Sequence, residues 1–118
     1  MGTFSVKLQA GAAARERFVE VDALVDTGAS YTMLPAPILR DLGVPATASR
    51  AFMLANGERT MRDVGQAWVR LNGHEVMTVV VFGDEGGPVL LGAVTLEEMG
   101  LGVDPLGKRL IDVPGLLT

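Results

Sequence analysis

Two Asn-Gly pairs, Asn56-Gly57 and Asn72-Gly73, each sit between runs that alternate apolar and polar residues. An Asn-Gly pair accepts the positive φ that a type I′ turn needs at both central positions, and alternation turns one face of each flanking run toward a core. The pairs therefore predict two antiparallel hairpins, 51–55 with 58–61 and 66–71 with 75–82. Glycine makes up 15 of the 118 residues, against a usual share of about 7%, and extends the expectation of tight turns to the whole chain. Further extended runs are expected at 4–9 and 18–25, joined by a hairpin loop over 11–16, and at 31–34, 89–91 and 109–113. Pro35 and Pro37 open a short helix that Gly43 closes. Thr95-x-x-Glu98 has the form of a capping box, opening a second short helix that Gly100 ends. The expectation is a mainly β domain of about eight strands, mostly joined as hairpins, with one or two short helices.

A chain of 118 residues has room for one core, so residues 1–118 are read as a single domain. Lys and Arg number 10 and Asp and Glu 14, a formal net charge of −4 with no basic run. That balance argues against nucleic acid as a partner, because neutralising phosphates takes clustered cations. There is no cysteine and only one histidine, His74, which excludes thiolate chemistry and any site built on two imidazoles. The N-terminus lacks an apolar signal core, and the longest strongly apolar stretch, 76–82, falls far short of the roughly 20 residues of a membrane span. A soluble, cytoplasmic protein with no membrane partner, metal or cofactor is expected.

One constellation carries chemistry. Asp26-Thr27-Gly28-Ala29-Ser30 directly follows a strand that ends in Ala23-Leu24-Val25. A carboxylate at the mouth of an apolar strand is costly to desolvate unless its oxygens are hydrogen-bonded. Gly28 lets the backbone turn and present N–H groups, and Thr27 and Ser30 bring hydroxyls. An Asx-turn that merely redirects the chain is the plainer alternative.

These residues, with Thr32-Met33-Leu34, a hairpin over 52–61, Val79-Val80-Val81, and Leu90-Leu91-Gly92 before a helix at 95–99, resemble the retropepsins, the single-domain aspartic proteases of retroviruses and their cellular and bacterial relatives. The resemblance spans residues 18–102 and implies a closed β-barrel with a hairpin flap. It also implies a homodimer in which Asp26 of each chain meets its twin on a two-fold axis and the pair activates a water to hydrolyse a peptide bond. Carried over residue by residue, Asp26 is the catalytic group and Thr27, Gly28, Ala29 and Ser30 support it. Ala55, Asn56, Gly57 and Glu58 form the flap tip. Leu34, Phe52, Met53, Leu54, Leu90, Leu91 and Gly92 are expected to line the cleft. The partners implied are a second copy of the chain and a peptide or protein substrate. The alternative is a retropepsin-like module that dimerises and grips extended peptides without cutting them. Retroviral members follow the second glycine with an arginine, whereas here Gly92 leads into Ala93-Val94-Thr95; the flap tip is polar; and the chain runs on from Val103 to Thr118.

Other candidates are weaker. Ser30 does not sit in a Gly-x-Ser-x-Gly elbow and has only His74 to serve as base. His74 reads as a turn residue, Asp84 and Glu85 as a solvated loop without cation-binding spacing, and Trp68 as a core or interface side chain.

Overall fold

A computed structural model describes residues 4–104 and 106–117; Met1–Thr3, Pro105 and Thr118 lie outside them. Among the described residues, nine strands and two short helices follow in the order β1 (Ser5–Gly11), β2 (Phe18–Val25), β3 (Thr32–Pro35), α1 (Ala36–Leu42), β4 (Ala48–Met53), β5 (Arg59–Leu71), β6 (His74–Gly83), β7 (Leu90–Leu91), α2 (Ala93–Met99), β8 (Leu101–Asp104) and β9 (Arg109–Asp112). Seven strands form one sheet in the order β1-β2-β7-β3-β6-β5-β4, and β1 also pairs with β5 through Gln9–Gly11. The pairings thus return to their start and enclose a core of Leu8, Ala23, Leu34, Val69, Val80 and Leu91, each 0% exposed. β8 and β9 form a separate two-stranded sheet.

The turn at Asn72-Gly73 follows the local rule: both residues have positive φ, 48° and 86°, and Leu71 pairs with His74 across it. Helix ends do likewise. Pro35 precedes α1, and Gly43 and Gly100 close the two helices at φ 87° and 72°, in the left-handed region that glycine enters without a Cβ clash.

The other Asn-Gly pair departs from expectation. Gly57 has φ 87°, but Asn56 does not have positive φ. The hairpin closes instead around three residues, with the Gly57 N–H donating to Leu54 O at 2.9 Å and the Leu54 N–H to Glu58 O at 2.7 Å. This is the wider loop in which only the glycine is left-handed. Asn56 works through its side chain, its Oδ1 accepting the Glu58 N–H at 2.9 Å and its Nδ2 donating to the Glu58 carboxylate at 2.6 Å.

Three further expectations change. Runs 58–61 and 66–71 are a single 13-residue strand, β5. Gly65 is no break in it; a Cβ there would collide with Pro45 O, so glycine marks the place where the segment after α1 crosses the strand. β8 was not foreseen, and β9 pairs with it from Leu101↔Asp112 to Asp104↔Arg109. The hairpins are supplemented by two parallel pairings, β2 with β7 and β3 with β6. Among the described residues, no helix is long and apolar enough to cross a membrane.

Candidate active site

β2 becomes fully buried at Ala23 and nearly so at Val25, and then delivers Asp26 to the surface, where it is half-buried. The Asp26 N–H donates to Leu91 O at 3.0 Å, which continues the β2–β7 ladder by one residue. Beyond it the chain turns. The Gly28 N–H donates to the Asp26 carboxylate Oδ1 at 3.0 Å and the Ala29 N–H to Asp26 O at 3.1 Å. The loop is an Asx-turn that holds one carboxylate oxygen and, among the described residues, leaves the other without a hydrogen bond. Gly28 has an ordinary φ, so its role is not the backbone freedom expected of it. Its missing Cβ would instead lie 3.2 Å from Asp26 Oδ1, crowding the carboxylate. Thr27 and Ser30 are exposed, and among the described residues neither hydroxyl bonds within the chain.

The loop rests on α2. A helix begins with N–H groups that have no partner inside it; here the Ala93 N–H donates to Ala29 O and the Val94 N–H to Ser30 O, both at 2.9 Å. The contact requires Gly92, where a Cβ would lie 2.5 Å from the Tyr31 carbonyl carbon and 3.0 Å from Ser30 O. Because these carbonyls cap the helix, the capping box anticipated at Thr95 does not form. Gly92 is the N-cap, and Thr95 lies within the helix and is 0% exposed. Its hydroxyl contacts Thr32 Oγ1 at 2.7 Å and Thr78 Oγ1 at 2.9 Å, and Thr32 Oγ1 accepts the Gly92 N–H at 3.1 Å. This buried threonine net joins β3, β6 and α2 directly beneath the loop.

The β4–β5 hairpin carries Ala55, Asn56, Gly57 and Glu58 at its tip, all exposed. Its root is held by Arg62, whose guanidinium pairs with both oxygens of Asp84 at 2.5 and 3.2 Å. The hydrogen bond from Arg62, and then its charge, holds the Asp84 carboxyl below its usual range. The hairpin also meets the loop's exit. Arg50 Nη1 donates to the Tyr31 hydroxyl at 3.0 Å, and the Tyr31 and Phe52 rings meet edge to face at 6.2 Å.

Of the residues expected to line a cleft, Phe52 and Leu90 are half-buried, and Met53 and Leu54 are 67% and 43% exposed. Leu34 and Leu91 are 0% exposed. They belong to the core and support the loop from below, because β3 and β7 turn those side chains inward. Gly92 is buried under the loop as described. The sequence does not single out Tyr31, Arg50 or Thr78, and it marks Thr32 and Thr95 only as strand and helix-start residues. The threonines did carry a signal: Thr32 and Thr78 stand within apolar runs, 32–34 and 76–82, where a hydroxyl has to find a partner. His74 is half-buried, with Nε2 3.7 Å from Asp112 on β9, and Trp68 lies under the Arg15 guanidinium at 4.7 Å. Among the described residues no cluster of three metal-ligating side chains exists.

The family model for aspartyl proteases matches residues 12–95, a span that contains the Asp26 loop, the hairpin and the start of α2. The chain belongs to the aspartyl protease family. The fold of this family member is similar to a retropepsin-like aspartic protease from Rickettsia conorii, with TM-score 0.57 and 23% identity over 88% of this chain and 86% of that one. It is likewise similar to EIAV protease in complex with an inhibitor, with TM-score 0.58 and 16% identity over 93% of each chain. Simian foamy virus protease gives TM-score 0.55 and 17% identity over 79% of this chain and 91% of that one. No curated protein matches the sequence.

Proposed function

We propose that this aspartyl protease family member is an aspartic endopeptidase acting as a homodimer, with residues 1–118 forming one half and Asp26 of each protomer contributing to a shared site. The observation that carries the reading is Asp26 itself. In an Asp-Thr-Gly-Ala-Ser loop braced by α2, its carboxylate keeps one oxygen bound by the Gly28 N–H and, among the described residues, the other without a hydrogen bond. A lone carboxyl cannot serve as acid and base in the same step. Two held about 3 Å apart cannot both ionise, the known behaviour of aspartic-protease pairs, and so they share one proton and divide the roles.

The ionised Asp26 takes a proton from water as its oxygen attacks the peptide carbonyl carbon, while the protonated Asp26 of the partner gives its proton to the carbonyl oxygen. The tetrahedral diol then collapses. One hydroxyl proton goes to the ionised carboxylate of the partner's Asp26, Asp26 gives the nitrogen the proton it took from water, and the C–N bond breaks to give an acid and an amine, which restores the starting pair. We read the ring of strand pairings as the closed barrel of the family and the β4–β5 hairpin as its flap, with Ala55 to Glu58 closing over an extended peptide. Exposed Thr27 and the 92% and 99% exposed Leu116 and Leu117 provide polar and apolar surface for the second copy.

Asp26→Asn tests the reading. It should lower peptide cleavage on the order of 10³-fold while leaving the melting curve and sedimentation of the protein unchanged. Specific activity should fall on dilution as the dimer dissociates. Cleavage that survives Asp26→Asn, or that is independent of enzyme concentration down to nanomolar levels, overturns it. Binding of peptide without cleavage by the wild type would establish the non-cutting alternative.

A further inference from the structure

Arg50 lies on β4 directly opposite Arg62 on β5, so two guanidinium groups share one face of the hairpin. Their situations differ. Arg62 is neutralised by Asp84 at 2.5 Å. Arg50 has no carboxylate within 4 Å among the described residues; its partners are the Tyr31 hydroxyl at 3.0 Å and the faces of the Tyr31 and Phe52 rings, 5.1 and 5.6 Å from its guanidinium carbon. The neighbouring acid, Asp63, pairs with Ser49 across the strands and accepts its hydroxyl at 2.7 Å. Being one residue out of phase, that pair faces the opposite side of the hairpin. Glu58 is engaged by Asn56 at the tip.

Arg50 is therefore an exposed, uncompensated cation in a protein of net charge −4. Two aromatic rings, one of them also bonded through its hydroxyl, fix its orientation, and most of its five donors remain unused. A guanidinium costs side-chain entropy to hold still, and stacking on aromatic faces accomplishes that without consuming its charge. Its location gives this a purpose: Tyr31 immediately follows the Asp26–Ser30 loop, and Phe52 leads to the hairpin tip. In the cleft proposed above, a peptide held between hairpin and loop would run past this guanidinium.

We propose that Arg50, presented by Tyr31 and Phe52, is a specificity residue that selects peptides carrying Asp or Glu at a position flanking the scissile bond, an inference that rests on the peptide-binding cleft proposed above. A carboxylate fits the open fork of donors in bidentate fashion, which an amide or a hydroxyl does not match. Because a two-fold axis would repeat the group at both ends of the cleft, the preference applies at equivalent positions on either side of the bond.

The test uses the full chain and internally quenched peptides with one apolar scissile pair, in which Glu, Gln or Lys is placed in turn at each flanking position. Wild type should cleave the best Glu peptide with kcat/KM about fivefold above its Gln counterpart, and 0.5 M NaCl should shrink the ratio. In Arg50→Gln the ratio should fall to near one, and in Arg50→Glu it should invert in favour of a Lys peptide. Each ratio is read within one variant, so altered folding or activity cancels. A wild type that cleaves without preferring Glu at any position, or an Arg50→Gln variant that keeps the preference, overturns the proposal. If no peptide is cleaved, the protease reading fails by itself; fluorescence anisotropy with uncleavable reduced-amide Glu and Gln peptides then decides this proposal, tighter Arg50-dependent binding of the Glu form supporting it and equal binding overturning it.

Discussion

Replacing Thr95 by Val removes a hydroxyl from the centre of the threonine net and puts a methyl of nearly the same size in its place. Thr32, Thr78 and Thr95 are 0%, 2% and 0% exposed, so solvent cannot replace what is lost. Two hydrogen bonds disappear, at 2.7 and 2.9 Å, leaving the Thr32 and Thr78 hydroxyls short of a partner. Each stranded group costs about 1–3 kcal/mol, and the added apolar burial offsets about 0.8 kcal/mol; the expected net loss is about 3 kcal/mol. An unfolding entropy of about 2.1 cal/mol/K per residue amounts to about 0.25 kcal/mol/K over the 118 residues, so the melting temperature should fall by about 12 °C. Thr95→Ser keeps the hydroxyl and deletes one methyl, which costs about 1 kcal/mol or about 4 °C. Calorimetry of both variants at one fixed protein concentration makes the comparison, since assembly would otherwise shift the midpoint. A Thr95→Val melt within 3 °C of wild type, or a Thr95→Ser variant at least as destabilised as Thr95→Val, would show that the hydroxyls do not hold α2 against the sheet.

Gly92→Ala should be worse, by about 3 kcal/mol or more, because the new Cβ meets the Tyr31 carbonyl at 2.5 Å and neither backbone can yield; urea denaturation reads it. Gly28→Ala separates structure from chemistry: its Cβ has room except for Asp26 Oδ1 at 3.2 Å, so the unfolding free energy from urea titration should fall by less than about 1 kcal/mol while kcat drops. An unchanged kcat there would argue against an Asp26-centred reaction. The Arg62–Asp84 pair predicts a pH effect. Asp84 is held below its usual 3.8, first by the hydrogen bond from Arg62, so between the lowered and the usual value the unfolded chain binds more protons than the native one. That stabilisation is complete above the usual value and fades as pH falls through the lowered one. It is small, because Asp84 is largely exposed. Asp84→Asn should therefore flatten the dependence of the urea midpoint on pH below about 4, and an identical slope in wild type and variant would contradict the assignment.

What the residues announced on their own was governed by local chain stiffness. The left-handed glycines at 43, 73 and 100, the prolines that open α1 and the Asx-turn at Asp26 all depend on steric limits acting over two to four residues, and each was legible without a fold. Asn56 shows where that local reading stops, since two turn geometries suit an Asn-Gly pair and the register of β4 on β5 chose between them. Thr95 shows it more sharply. As a sequence signal it was a helix cap, yet the carbonyls of Ala29 and Ser30, more than 60 residues earlier in the chain, took over the capping and released its hydroxyl to Thr32 and Thr78. Leu34 and Leu91 looked like cleft residues for the same reason: a strand pattern says that alternate side chains face opposite ways, but only packing against α2 and the neighbouring strands says which way is inside. The Arg50–Tyr31 contact likewise joins two segments that sequence leaves independent. Local sterics determined the turns and the acidic loop; burial, which exists only once distant segments have met, decided which side chains serve the core and which stay at the surface.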